Sequence, residues 1–294
     1  MKNNFLPPGL RDIDDYLGSE LENLEYKLIS LMQERGIKRI FLPLIEYYDV
    51  FSKGIGEDKK RKTYKLIDPL SGRTIAIRSD VTPQIVRYWS NKSDNSLKAY
   101  YFEKILRFEK ELQGKEKEIL QAGVEFINIE NINDVIVETL FQFINMLNLE
   151  SVVVIFNTAD MVDKLLDSVP DGLILEHKNF SKLKDSGVSS ELLSVLLNPD
   201  NIYNLSDSDK IKYFGNNIDF LKDIAKKYKS RKIKIVIDPF FTKPSDYYSG
   251  LFFKVIYKGR EIISGGRYDK LLDVYGKKGS AAGLAIDLFN VINN

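Results

Sequence analysis

Two long stretches of strand character, Ala99 to Phe108 and Leu120 to Ile129, flank a charged, glycine-containing connection from Glu109 to Glu118. A second pair, Thr63 to Asp68 and Arg73 to Arg78, closes on the turn Pro69-Leu-Ser-Gly72 with alternating apolar residues, the pattern of a hairpin. Strand character returns at Arg231 to Asp238, Gly250 to Tyr257 and Glu261 to Ser264, and Ala281 to Asn293 closes as a strand and a helix. Strands gathered as hairpins and meanders, with helices in separate runs, point to an α+β chain built on a mostly antiparallel sheet flanked by helices.

The helices are spaced between these strands. Ser19-Glu-Leu-Glu22 has the spacing of a capping box, and Leu21, Leu24, Leu28 and Leu31 follow at helical period up to a stop at Arg35-Gly36. Lys38 to Leu44 reads as a buried strand, with Pro43 marking an edge or an end. Helices are expected at Thr82 to Trp89 and Asn133 to Leu147. From Glu150 the texture changes: after a strand at Ser151 to Asn157, the chain to about Lys229 is rich in Leu, Lys, Asp, Ser and Asn. Residues 150–229 are therefore expected to form a small inserted helical module, with 1–149 and 230–294 as the core.

Composition narrows the chemistry. The 294 residues contain no cysteine and one histidine, His177, so a disulfide framework, a thiolate zinc site, a cysteine nucleophile and a histidine-rich metal site are all excluded. His177 is given no role, and no metal or cofactor is expected. Lys+Arg 43 against Asp+Glu 42 leaves a net charge of +1, which disfavours a bulk nucleic-acid or anionic-membrane binder. The start lacks an apolar leader and no apolar run approaches the ~18 residues of a membrane span, so a cytoplasmic protein without membrane attachment is expected.

Three groups of residues stand out, each with an ordinary explanation beside it. Lys59-Lys-Arg-Lys62 could contact phosphates, but so short a run in a neutral chain reads first as a solvated loop. Arg107 and Glu109 share one face of their strand, and Gln121 and Glu125, four apart, share one face of the next. Together they make either a polar floor or an exposed sheet face with surface ion pairs. Asp246-Tyr-Tyr-Ser-Gly250 and Ser264-Gly-Gly-Arg-Tyr-Asp269 flank one hairpin. Their paired glycines serve close backbone packing or positive φ before they line a ligand.

In order along the chain, these segments resemble the class II aminoacyl-tRNA synthetases, and within them the histidyl branch. Pro8-Gly-Leu-Arg-Asp12, a helix and Phe41-Leu-Pro-Leu-Ile-Glu46 look like motif 1, which implies a self-dimer through that region. Leu106-Arg-Phe-Glu109 through Leu120-Gln-Ala-Gly-Val-Glu125 is similar to motif 2, and Gly283-Leu-Ala-Ile-Asp-Leu288 to the core of motif 3. Asp246-Tyr-Tyr and Ser264-Gly-Gly-Arg-Tyr-Asp resemble signatures of the histidyl branch. The fold implied is the class II synthetase-like antiparallel sheet flanked by helices, with the helical module inserted.

The departures carry the functional expectation. Where motif 3 places an arginine on the ATP phosphates, this chain has Asn290; before Asp-Tyr-Tyr it has Lys243, Ile119 takes the place of an adenine-stacking aromatic, and Lys115 and Lys117 match loop arginines. An ATP site so altered lacks the preorganised positive charge that triphosphate chemistry needs, so no catalytic residue is expected. The amino-acid positions are kept. By the resemblance, Asp80, Thr82 and Gln121 match the ammonium contacts, Arg107 is suited to the carboxylate, and Glu125 and Tyr248, with Tyr247 beside them, match the imidazole contacts. The chain also ends at Asn294, where a synthetase would continue into its anticodon-binding domain, so tRNA is not expected as a partner.

These features, and Asp80-Val-Thr-Pro-Gln84 with Arg87 after it, resemble the regulatory subunits of short-form ATP phosphoribosyltransferase. That resemblance implies a non-catalytic partner of the catalytic subunit in a hetero-octamer, with free histidine as the effector. The alternative is a truncated histidyl-synthetase-like ligase that forms an aminoacyl-adenylate.

Overall fold

The computed structural model describes residues 6–108, 116–168, 188–215, 217–243 and 247–292. Glu109, Lys115, His177 and Asp246 lie outside them. In chain order the strands are β1 (Lys38–Arg39), β2 (Ile45–Tyr47), β3 (Lys65–Ile67), β4 (Thr74–Ile77), β5 (Leu97–Leu106), β6 (Glu118–Ile127), β7 (Val152–Thr158), β8 (Ile233–Ile237), β9 (Leu251–Tyr257), β10 (Arg260–Arg267) and β11 (Ala281–Asp287). The chain parts into two compact units: 1–147 with 245–247 and 268–294, and 148–244 with 248–267. The second unit thus takes in β8, β9 and β10 along with the helical stretch, beyond the 150–229 limits expected of a module.

In the first unit, helix α1 (Asp15–Glu34) buries Leu21, Leu24, Leu28 and Met32. Its N-cap is Asp14, whose carboxylate accepts from Leu17 N at 2.9 Å, while Ser19 Oγ, expected as the cap, bonds back to Asp15 O inside the helix. Gly36 ends the helix at φ 66°, letting Ile37 N reach Met32 O at 3.0 Å.

The expected strand from Lys38 to Leu44 shrinks to two residues, which pair in parallel with Ala99 and Tyr100. Ile40 N still reaches Tyr100 O at 2.9 Å, and at Leu42 and Pro43 side chains replace the ladder. Arg78 donates to Leu42 O at 3.1 Å, Glu103 accepts from Leu42 N at 3.1 Å, and Gln84 donates to Pro43 O at 2.8 Å. Phe41, expected in a buried strand, is 75% exposed. Arg78 also pairs with Glu103, so one buried guanidinium ties this segment to β5.

The hairpin β3–β4 forms with Gly72 at φ 68° in its turn and is joined by β2 into a three-stranded sheet. After the short helices α2 (Tyr48–Phe51) and α3 (Glu57–Arg61), helix α4 (Thr82–Ser90) follows β4 and buries Ile85, Val86 and Trp89 among Val81, Tyr101, Ile105, Tyr268 and Leu271. The long pair is in antiparallel register from Leu97↔Ile127 to Leu106↔Glu118, and β11 joins the other side of β6 from Ala281↔Ile127 to Asp287↔Gln121. On one face Gln121, Gly123 and Glu125 alternate with buried Ala122, Val124 and Phe126 on the other.

In the second unit, β7 pairs in parallel with β8 and antiparallel with β9, and β9 pairs with β10. Helices Ala159–Ser168, Ser190–Leu197, Asp207–Phe214 and Ile218–Tyr228 supply Met161, Leu165, Leu192, Val195, Phe214 and Leu221 to its core. Gly265 and Gly266 lie within β10 instead of in a turn. A Cβ on Gly266 would stand 2.4 Å from Leu251 O, so that glycine serves the close backbone approach.

Candidate functional site

The hydrogen-bonded centre of the first unit is built from the turn between β4 and α4, the middle of β6, the short helix α3 (Glu57–Arg61) and Tyr247. Asp80 sits in that turn, 6% exposed. Its Oδ1 accepts from Thr82 N at 3.2 Å, the local Asx arrangement that a chain entering a helix favours. Its Oδ2 accepts from Tyr247 OH at 2.9 Å and pairs with the Lys59 ammonium. Lys59 Nζ also lies 3.3 Å from Tyr247 OH.

Thr82 links this group to a second carboxyl: its Oγ1 donates to Glu125 Oε1 at 2.8 Å, and Tyr268 OH donates to Glu125 Oε2 at 2.5 Å. Glu125 is 1% exposed and pairs across the sheet with Gly283. A Cβ at position 283 would fall 1.6 Å from Glu125 Oε2, so the absent side chain is what makes room for the carboxyl. Gly123 plays the same part for Tyr101, whose ring a Cβ there would meet at 2.2 Å.

The two carboxyls differ in charge. Burial alone would raise the Asp80 value, but Lys59 and Arg107, with hydrogen bonds from Lys59 and Tyr247, bring it below the ordinary aspartate value. Among the described residues no cation pairs with Glu125. Burial pushes it up to about 8, against the opposing hydrogen bonds from Tyr268 and Thr82 and with the nearby Asp80 charge adding to the rise. Burial likewise lowers the Lys59 ammonium from its ordinary value, with Asp80 opposing.

Arg107 stands beside this pair, its Nε donating to Ser79 O at 2.9 Å. Gln121 is half-buried on the Glu125 face of β6, flanked in register by Glu103 and Asp287. Six of the seven expected site residues, Asp80, Thr82, Arg107, Gln121, Glu125 and Tyr247, thus belong to the first unit. Tyr248 belongs to the second, where its ring packs against Phe252 with centroids 5.9 Å apart.

Two members of this centre are absent from the expected set. Lys59 is not the solvated loop charge its sequence context suggests: its side chain is 18% exposed and turned onto Asp80. Tyr268 lies inside the quoted Ser264-to-Asp269 stretch, and its 2% exposure reflects a hydroxyl spent on Glu125. Of the positions matched to an ATP site, Lys243 and Ile119 have side chains engaged otherwise, and Asn290 is held through its backbone. Asn290 N donates to Asp287 Oδ1 at 3.0 Å, Lys243 pairs with Asp163 at 2.9 Å, and Ile119 packs against the apolar core. Among the described residues no three His, Cys, Asp or Glu side chains gather as a metal site, and no helix is long and apolar enough to cross a membrane.

The profile of the histidyl-tRNA synthetase family matches residues 9–291. An ATP phosphoribosyltransferase regulatory subunit of Clostridium botulinum is 30% identical, the match covering 99% of this chain and 76% of that protein. One from Bacillus mycoides is 29% identical over 97% of this chain and 74% of its own. Among solved structures, an ATP phosphoribosyltransferase regulatory subunit/histidyl-tRNA synthetase from Bacillus halodurans superposes with a TM-score of 0.79 at 22% identity, covering all of this chain and 84% of that one. The S. aureus histidyl-tRNA synthetase gives 0.65 at 21% identity, over 98% and 72%. The sheet flanked by helices is thus the class II synthetase fold. The chain belongs to the histidyl-tRNA synthetase family, on the branch of the ATP phosphoribosyltransferase regulatory subunits.

Proposed function

We propose that this chain is a regulatory subunit of histidine biosynthesis that binds the short-form ATP phosphoribosyltransferase catalytic subunit, supports its activity and relays inhibition by free histidine. One observation carries the reading: a continuous hydrogen-bonded centre links an ionised carboxylate, Asp80, through Thr82 to a protonatable carboxyl, Glu125, with the Arg107 guanidinium alongside. An amino acid presents an ammonium, a carboxylate and, in histidine, ring N–H groups, and these three kinds of protein group are their complements. Asp80, Thr82 and Gln121 would hold the ammonium, Arg107 the carboxylate, and Glu125, Tyr247 and Tyr248 the imidazole.

The uncharged side chain of Asn290, where the synthetases place an arginine on the ATP phosphates, supports a site that binds an amino acid without activating it. Exposed apolar side chains at Phe41, Leu44 and Ile45 suit a self-dimer through that stretch, within a hetero-octamer with the catalytic subunit. Relay of inhibition requires histidine to favour one quaternary state, typically by about 1–3 kcal/mol of coupling.

Calorimetry with free histidine tests the sensor. Saturable binding, lost in Glu125→Ala and Tyr248→Ala, is expected; no binding, or binding indifferent to both changes, removes it. Co-purification with a short catalytic subunit tests the partner. ATP–pyrophosphate exchange with histidine is expected to be silent, and exchange above background would favour an adenylate-forming ligase instead.

A further inference from the structure

Among the clustered cations of Lys59 to Lys62, one behaves differently. Lys60 pairs with Glu57, and Arg61 and Lys62 pair with Asp58, all on the exposed side of the run, whereas Lys59 turns inward onto Asp80. It stands where, on the amino-acid reading, a ligand's ammonium would be held. We propose that Lys59 is an internal competitor for that position: an amino acid binds by exchanging its own ammonium for the Lys59 ammonium on Asp80, and Lys59 thereby sets the affinity of the site. This inference rests on the amino-acid reading of the site.

Three features support exchange over simultaneous binding. Asp80 already accepts from Thr82 N, Tyr247 OH and Lys59, and Arg107 is close enough to act on the same carboxylate. A further ammonium there would face two cations across a single charge, in a setting where Coulomb repulsion is weakly screened. Glu125 offers no relief, because its buried carboxyl holds its proton into the neutral range.

The backbone carrying Lys59 is fixed. Its carbonyl accepts from Thr63 Oγ1 at 2.7 Å, and that hydroxyl lies 2.8 Å from Ser79 Oγ, beside Asp80 itself. Exchange therefore needs only a side-chain rotation. The side chain's 18% exposure gives it a path to solvent, and Asp58, one residue before it, is an exposed carboxylate within its electrostatic reach. A site whose binding-competent form is only fractionally populated loses affinity by that fraction. If Lys59 holds Asp80 in about nine molecules of ten, histidine binds about tenfold more weakly than the bare site would allow.

Two measurements on the full chain decide it. Lys59→Met is expected to tighten histidine binding by about tenfold in calorimetry. Unchanged or weaker binding by that variant overturns the competitor role while leaving the amino-acid site in place. Absence of histidine binding by both proteins overturns the amino-acid reading and the inference with it. Should the variant fail to fold, amine acetylation of the unaltered chain, read by mass spectrometry with Lys60 as internal reference, decides alone. Labelling of Lys59 should rise with saturating histidine as the ammonium is expelled; protection or no change overturns the proposal.

Discussion

The Asp80 and Glu125 ends of the central network are both buried and are joined through one residue, Thr82, yet they hold opposite charge states. Depth is not what separates them. Asp80 has the Lys59 ammonium and the Arg107 field, while Glu125 has two hydroxyl donors and, opposite it, the bare backbone of Gly283. Hydroxyls satisfy a carboxyl's lone pairs but supply no charge, so they offset part of the burial cost and leave the proton in place. A binding site for a zwitterion with a titratable ring profits from both: a fixed anion for the ammonium, and a carboxyl that can either donate or accept at the ring.

Replacing each carboxyl by its amide should break this comparison most sharply. Asp80→Asn leaves Arg107 without its anion in a buried place while Lys59 can turn to solvent, so the loss should lie at about 3 kcal/mol, the low end for breaking a buried pair. Urea unfolding at neutral pH should show a loss of that order. Glu125→Gln, by contrast, substitutes a neutral group for one that must take up a proton to fold at pH 7, so any cost of its altered hydrogen bonds is offset and the variant should be no less stable than the parent there. Equal costs at the two sites would mean that Glu125 is ionised.

The same difference should appear as opposite slopes against pH. Between the ordinary carboxyl value of 4.5 and about 8, the folded chain keeps a proton on Glu125 that the unfolded chain has released. Stability therefore falls as pH rises through that window, by at most about 1.4 kcal/mol per unit. Asp80, whose folded value is lowered, contributes stability that is complete above 3.8 and is lost as pH falls through its folded value. Urea midpoints from pH 5.5 to 8 should decline in the parent chain and flatten in Glu125→Gln; a decline that survives the substitution assigns the proton elsewhere.

How far the sequence announces this arrangement depends on the residue. Asp80, Thr82 and Glu125 are legible because they fall in segments whose order along the chain is distinctive, and the long β5–β6 pair is legible from its strand character alone. Lys59 is not, because a four-residue basic run looks the same whether or not one member turns inward. Only the single turn of α3 and its ion pairs decide which cation is left to face Asp80. The segment from Ile40 to Leu44 has the apolar content of a strand, but after Ile40 N meets Tyr100 O the hydrogen bonds of Leu42 and Pro43 come from the side chains of Arg78, Glu103 and Gln84, partners distant in sequence. Tertiary side chains can replace a ladder in ways no local pattern records. The cap of α1 fails for a narrower reason: the carboxylate of Asp14 takes the first-turn N–H of Leu17, so the helix starts more than a turn before the Ser19 pattern and leaves Ser19 inside it.

Tyr268→Phe probes the Glu125 end without touching its charge. It removes one of the two hydroxyl donors, at 2.5 Å, and leaves Glu125 Oε2 facing the phenyl edge and the Gly283 backbone. A neutral carboxyl that loses one partner and keeps Thr82 pays about 1–2 kcal/mol, well below the cost at Asp80. The donor also works against the burial that raises Glu125, so its loss should move the carboxyl further up and extend the decline in stability to higher pH. Urea midpoints at pH 7 and 8.5 check both parts. A loss at pH 7 that matches the Asp80→Asn loss would mean that Tyr268 was stabilising an ionised carboxylate, and the contrast between the two ends would collapse.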